Sequence, residues 1–325
     1  MSRNVFIAAV VTMSVMISAA ATVAGQAPAP ASHPASASAA TPAASAPMTD
    51  FQKRIESYIR DVYAFGKGFT VKVGEPQPTP ISDLSSVAID ITYNGQSDSA
   101  VVYVSKDGKF MLMHTVLDDL SIDPFASVRK LIQLGDAPAK GPRDARVVVV
   151  EYADYECPVC RQLNTLLNTT LLPKYPQIRF VYKDFPLADI HPWSMTATEA
   201  AHCAFLQSPA VYWKFHDSIF DSQDLISPTI AFDKLLDLAS EAGLNPDAMR
   251  ACMADPKTAQ FIQAEQAEGQ ALEIESTPTV FVDGRRVEGA REDVLEQFID
   301  YDLAKKPSVA KAASSEPATS STAHP

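Results

Sequence analysis

Apolar and polar positions change period several times along this chain, and each change marks an element. Phe51, Ile55, Tyr58, Ile59 and Val62 recur at helical spacing, which predicts a short amphipathic helix from Asp50 to about Phe65 with Asp50 as its N-cap. Prolines at 76, 78 and 80 break the pattern. Three strand-like runs follow, Val87 to Tyr93, Ala100 to Ser105 and Lys109 to Val116, punctuated by the hairpin pairs Asn94-Gly95 and Asp107-Gly108. Residues 50–120 therefore read as a small α+β domain, a helix with an antiparallel meander. Pro124 to Leu134 has helical character, and the Gly- and Pro-rich stretch Gly135 to Arg143 resets the chain, so 121–143 reads as a linker helix and loop.

A second pattern starts at Val147 to Val150, a β-branched run that reads as a strand. Leu163, Leu166, Leu167 and Leu171 then predict a helix from Pro158 to Leu172, stopped at Pro173 and Pro176, before a second strand at Ile178 to Tyr182. Strand, helix and strand of these lengths imply a parallel pair with a right-handed crossover. Residues 191–274 hold several helical segments, bounded by Pro209, Ser227-Pro228 and Asn245-Pro246, with Ser227 and Asn245 as expected N-caps. Thr279 to Val282 and Arg285 to Glu288 form a hairpin around Asp283-Gly284. A final helix, Arg291 to Ala304, turns Val294, Leu295, Phe298 and Tyr301 inward. The second domain, 144–304, is thus an α/β unit of order β-α-β, a helical insertion, then β-β-α.

The ends of the chain set its compartment. Arg3 precedes an apolar run from Val5 to about Ala24, the pattern of a signal peptide or a retained membrane anchor over residues 1–25. Residues 26–49 are nearly all Ala, Pro and Ser, a composition that cannot offset its own conformational entropy and serves as a linker; 305–325 reads as a disordered tail of the same kind. The expected location is periplasmic or otherwise extracytoplasmic, where disulfides persist. A net charge of −12 argues against a nucleic-acid partner.

The chemistry lies where the first strand of the second domain meets its helix. Cys157-Pro158-Val159-Cys160 places two thiols two residues apart at a strand-to-helix junction, which reads as a dithiol–disulfide redox site. Free N–H groups and the positive helix end favour a thiolate at Cys157, and Cys160, deeper in the turn, is placed to resolve a mixed disulfide. A zinc half-site would need two further ligands at short spacing, and none is present. The redox-active pair needs no cofactor and no metal. Among the histidines, His114 reads as a packing or surface residue, His202 as a helix-surface residue, and His191-Pro192-Trp193 as the start of the insertion near the dithiol.

The stretches VVVVEYADYECPVC and STPTVFVDGRRVEG, with the helical insertion between them, resemble the DsbA-like thiol–disulfide oxidoreductases of the thioredoxin-fold family over about Gly135 to Lys305. The resemblance implies a thioredoxin-like fold, with Cys157 as nucleophile and Cys160 as its buried partner. It also implies a cis bond before Pro278, facing the dithiol, with Thr277 free to pair with an extended substrate. Glu151, six positions before Cys157, matches the family's buried acid, able to relay the proton of Cys160; Lys183 is its expected charge partner. The family also implies a structural disulfide between Cys203 and Cys252.

Three features depart from the strong oxidants of that family. Val159 offers the Cys157 thiolate neither hydrogen bond nor charge, which predicts a less oxidising couple. Thr277 resembles the residue in the isomerase-type DsbC and DsbG group, and VVYVSKDGKFMLMHTVLDDL is similar to that group's dimerisation domain. The expected function is formation or reshuffling of disulfides in exported proteins, with a dimeric isomerase or reductase, or a non-redox chaperone-like module, as alternatives. Expected partners are exported proteins with thiols or disulfides, a membrane redox partner, and a second copy of the chain in a homodimer.

Overall fold

The computed structural model describes residues 48–113 and 116–305. The stretch expected to be a signal peptide or anchor, most of the expected linker, His114 and residues 306–325 of the expected tail lie outside them. The chain divides into two compact units, one running to residue 121 and the other comprising 64–66 and the chain from Ile122 onward.

In the first unit, helix α1 (Asp50–Tyr63) buries Ile55, Tyr58, Ile59 and Val62, the stripe expected from the sequence. Its cap is Thr49 rather than Asp50. The Thr49 hydroxyl accepts from the Gln52 N–H at 3.3 Å, and the Gln52 side chain accepts from the Thr49 N–H at 2.8 Å, a reciprocal capping box. The strands are β1 (Thr70–Val73), β2 (Gln77–Pro78), β3 (Leu84–Tyr93), β4 (Gln96–Ser105), β5 (Phe110–Met113) and β6 (Val116–Asp119). They form an antiparallel sheet in the order β1-β3-β4-β5-β6, with β2 on β3. The meander is therefore longer than the three predicted runs. β1 and β2 escaped the pattern because they are short and flank the prolines. Gly108 turns the hairpin between β4 and β5 at φ +66°, where a Cβ would also collide with Phe51 and Arg54.

In the second unit, α2 (Ala126–Leu131) and the segment after it pack onto the domain instead of merely linking to it. Val128, Ile132, Leu134, Ala137 and Ala139 cover a cluster of Val150, Tyr152, Val181, Phe185 and Phe281. The sheet has the order β11-β10-β8-β9-β7, with β7 at Ala139–Lys140, β8 at Val148–Ala153, β9 at Arg179–Asp184, β10 at Thr279–Val282 and β11 at Arg285–Glu288. β8 and β9 are parallel, as the crossover requires, and the other pairs are antiparallel. β7 approaches β9 closely because Gly141 has no side chain: a Cβ there would sit 2.0 Å from the Ile178 carbonyl oxygen.

Between β8 and β9 runs α3 (Pro158–Leu166), which continues through a π-helical segment, Leu167–Leu171, into a last turn, Leu172–Lys174. Pro173 lies within that last turn instead of ending the helix before it. The insertion comprises α4 (Ser194–Gln207), α5 (Pro209–Asp221), a 3₁₀ turn (Gln223–Leu225), α6 (Ala231–Ala242), α7 (Pro246–Met253) and α8 (Pro256–Ala271). Asn245 caps α7 through its side chain, accepting from the Asp247 and Ala248 N–H groups. Ser227 caps nothing: α6 begins four residues later, at Ala231, and the Ser227 hydroxyl meets that of Thr229 instead. Helix α9 (Glu292–Ala304) buries Val294, Leu295, Phe298 and Ile299, while Tyr301 is half-buried.

Candidate active site

The period of two along β8 decides what lies under the dithiol. Val148, Val150 and Tyr152 share one face of the sheet, and Val149, Glu151 and Ala153 the other. Glu151 pairs across with Tyr182 on β9 and Val280 on β10. Those two paired neighbours are phenolic and apolar, its carboxyl is almost wholly buried, and one of its oxygens has no hydrogen-bond partner among the described residues. Burial pushes its pKa from 4.5 to about 8, the negative charge of Cys157 adds to this, and Lys140 opposes it.

Lys183 is not the partner of Glu151. It follows Tyr182 by one residue and so projects from the opposite face, where it pairs with Glu265 at 3.1 Å and Glu268 at 3.3 Å. The cation that acts on Glu151 is Lys140, which stands beside Phe180 in the register of β7 on β9. Its ammonium donates to the Asn168 side chain at 2.7 Å and lies 4.3 Å from the Trp213 ring centroid. Lys140 lies within the Gly- and Pro-rich stretch 135–143, and a two-residue strand gives no periodic signal.

Cys157 occupies the N-cap of α3 with Pro158 in the first turn, as the sequence predicts. Its pKa is lowered from 9.0 to about 5. The largest cause is a hydrogen bond from the Cys160 thiol, and the backbone N–H groups of Cys160 and Val159 and the Thr277 side of the site add to it, against partial burial. Val159 thus contributes only its amide, and its side chain is exposed. Cys160, fully buried, is pushed well above its ordinary value by desolvation, by its bond to Cys157 and by Glu151. Both cysteines are free thiols. The arrangement therefore favours the thiolate on Cys157, at the head of α3, and the protonated thiol on Cys160, deeper in the turn.

Across from the pair, the Thr277–Pro278 peptide bond is cis, and the Thr277 carbonyl oxygen lies 3.3 Å from the Cys157 sulfur. The Thr277 hydroxyl is buried and has no partner among the described residues. The turn before the dithiol is fixed by residues the motif does not reveal. The Asp154 carbonyl accepts from the Cys157 N–H at 3.1 Å, and the Asp154 N–H donates to the Cys160 sulfur at 3.5 Å. The Gln223 amide donates to the Tyr155 and Cys157 carbonyls at 2.8 and 3.0 Å. His191 donates to the Asp154 carboxylate, and Trp193 gives its backbone N–H to Glu156 at 2.6 Å, so the start of the insertion does abut the dithiol turn. His202 is stacked on Phe261, ring centroids 4.0 Å apart, and is half-buried instead of free at the surface.

Away from the site, Cys203 on α4 and Cys252 on α7 form a disulfide with an S–S distance of 2.00 Å and Cα atoms 5.8 Å apart. It closes 49 residues of the insertion.

Residues 134–301 match the family model described as thioredoxin, and the chain belongs to the thioredoxin family. Among curated relatives, the Na(+)/H(+) antiporter NhaA 3 of Salinispora tropica is 38% identical over 150 residues, which cover 46% of this chain and 22% of that protein. Disulfide bond formation protein D of Bacillus subtilis is 28% identical over 177 residues, 52% of this chain and 74% of that one. The chain thus spans less than a quarter of the length of the antiporter it matches. Among solved structures, oxidised BdbD from Bacillus subtilis is similar at a TM-score of 0.47 and 24% identity, covering 53% of this chain and 95% of that chain.

Proposed function

We propose that this chain is an exported thiol–disulfide oxidoreductase that forms or reshuffles disulfides in exported proteins through Cys157 and Cys160. The observation that carries the reading is the placement of the two sulfurs, Cys157 at the N-cap of α3 and Cys160 wholly buried, which lowers the first pKa to about 5 and raises the second. In thiol–disulfide exchange the low-pKa sulfur attacks, or is attacked and leaves, and the second closes the ring. The name of the Bacillus subtilis relative, disulfide bond formation protein D, points the same way. The antiporter name is not carried over, since the match covers only 22% of that protein; among the described residues no helix is long and apolar enough to cross a membrane.

In the oxidising direction a substrate thiolate attacks the sulfur of Cys157 in the Cys157–Cys160 disulfide. The S–S bond breaks, Cys160 leaves as a thiolate and takes up a proton, with Glu151 in reach as its relay. A second substrate thiolate then displaces Cys157, leaving an oxidised substrate and a reduced dithiol. A membrane redox partner would reset the pair. A depressed thiolate pKa stabilises the reduced form and so favours oxidation of substrates. Thr277 presents an extended substrate segment to the dithiol, with Pro278 holding its carbonyl in place. The function is tested by incubating the oxidised full-length chain with a reduced, unfolded disulfide protein and following recovery of that protein's activity. Recovery with wild type and its loss in Cys157→Ser supports the reading; equal recovery with both overturns it.

A further inference from the structure

Asp154 carries two kinds of contact. Its backbone touches both cysteines of the dithiol turn, accepting from the Cys157 N–H and donating to the Cys160 sulfur at 3.5 Å. Its carboxylate, fully buried, holds the start of the insertion. One oxygen accepts from the Glu156 N–H at 2.7 Å; the other accepts from the Leu187 N–H at 2.7 Å and from His191 Nδ1 at 2.8 Å. An ionised carboxylate only accepts, so the shared proton lies on His191 Nδ1. Two of the three donors are backbone amides, and His191 is the side-chain donor, reaching in from a half-buried position.

We propose that His191 is a positioning residue for the dithiol: by anchoring the Asp154 carboxylate it keeps the Asp154 N–H aimed at the Cys160 sulfur, and so sets the rate at which Cys160 resolves a mixed disulfide on Cys157. This rests on the thiol–disulfide exchange reading given above. In the resolving step Cys160 loses its proton to Glu151 or water, and its sulfur attacks the Cys157 sulfur. The Cys157–Cys160 bond forms, and the bond from Cys157 to its partner sulfur breaks with the electron pair leaving on the partner thiolate. The N–H of Asp154 stabilises the attacking thiolate. Without the His191 anchor the buried carboxylate is one donor short, and the turn that carries this N–H is free to shift.

The test uses an aromatic disulfide reagent that releases a coloured thiolate, mixed in excess with the reduced full-length chain. The first release reports attack by Cys157, and the second reports resolution by Cys160. His191→Leu keeps the volume and removes the donor; His191→Asn keeps a donor nitrogen near the place of Nδ1. We expect His191→Leu to slow the second phase about tenfold, the worth of one hydrogen bond to a buried charge, while the first phase changes less and His191→Asn restores the second. Equal slowing of both phases, no slowing, or a His191→Asn variant as slow as His191→Leu overturns the proposal. Should His191→Leu fail to fold, His191→Ala takes its place. A wild-type chain that shows both phases with the reagent but never oxidises a protein substrate would defeat the functional reading and leave this inference standing.

Discussion

Glu151 gives the sharpest quantitative prediction, because an acid buried without a full set of partners is a cost that pH turns on. The carboxyl ionises at 4.5 when exposed and at about 8 in the folded, reduced protein. Below 4.5 both folded and unfolded chains carry the neutral acid, and there is no penalty. As pH rises, the unfolded chain releases the proton first, so the penalty grows to pH about 8 and is then constant. The displacement corresponds to about 3 kcal/mol at neutral pH and about 5 kcal/mol above both values. Glu151→Gln keeps the shape and removes the ionisation, so the variant should be more stable than wild type by about these amounts, with no difference at acid pH.

Denaturant unfolding followed by tryptophan fluorescence suits the measurement, since both tryptophans, Trp193 and Trp213, belong to the second unit. In the oxidised protein the gain should shrink but persist, because desolvation outranks the Cys157 charge among the causes. Stability profiles of the two proteins that run parallel from acid to alkaline pH would refute the reasoning. The same variant should resolve mixed disulfides more slowly, since the acid beneath Cys160 is gone.

Three further outcomes are expected. The Cys157 thiolate, read by its ultraviolet absorbance or its alkylation rate, should titrate with a midpoint near 5, and Cys160→Ala should raise that midpoint because the Cys160 thiol is the largest stabilising contact. The matching stabilisation of the reduced form, about 3 kcal/mol at neutral pH, is lost as pH falls through that midpoint. Lys183→Met should destabilise the second unit by about 3–5 kcal/mol in thermal or denaturant unfolding, since it takes the ammonium from Glu265, buried beside Asp184, and from the half-buried Glu268. Replacing Cys203 and Cys252 by serine should lower stability by up to about 4 kcal/mol through the loop they close. Alkylating the unreduced protein before mass measurement should leave both unmodified.

What the sequence made legible follows from the range of each interaction. The strand-to-helix junction at Cys157, the hairpin at Asp283-Gly284 and the stripe of α1 are local patterns, and each lies where its period or turn chemistry places it. The pairing of Glu151 is not local. Its face depends on strand register, and one residue separates Tyr182, which shares that face, from Lys183, which does not. Lys140 acts on Glu151 from a strand of two residues that Gly141 lets approach β9, information held in three-dimensional packing alone. Asp154 and Gln223 carry ordinary side chains in turns, and their role lies in which backbone groups they meet. The caps lie a few residues from where the pattern puts them, Thr49 for Asp50 and the start of α6 after Ser227, because several nearby residues can each serve.

The most direct test of the central claim is the equilibrium of the Cys157 and Cys160 pair against mixtures of reduced and oxidised glutathione, scored by alkylating and weighing the intact protein. The account predicts one two-electron transition between a dithiol and a Cys157–Cys160 disulfide, with Cys203 and Cys252 unchanged throughout. Cysteines 157 and 160 that take up glutathione separately, with no disulfide between them at any ratio, would contradict it.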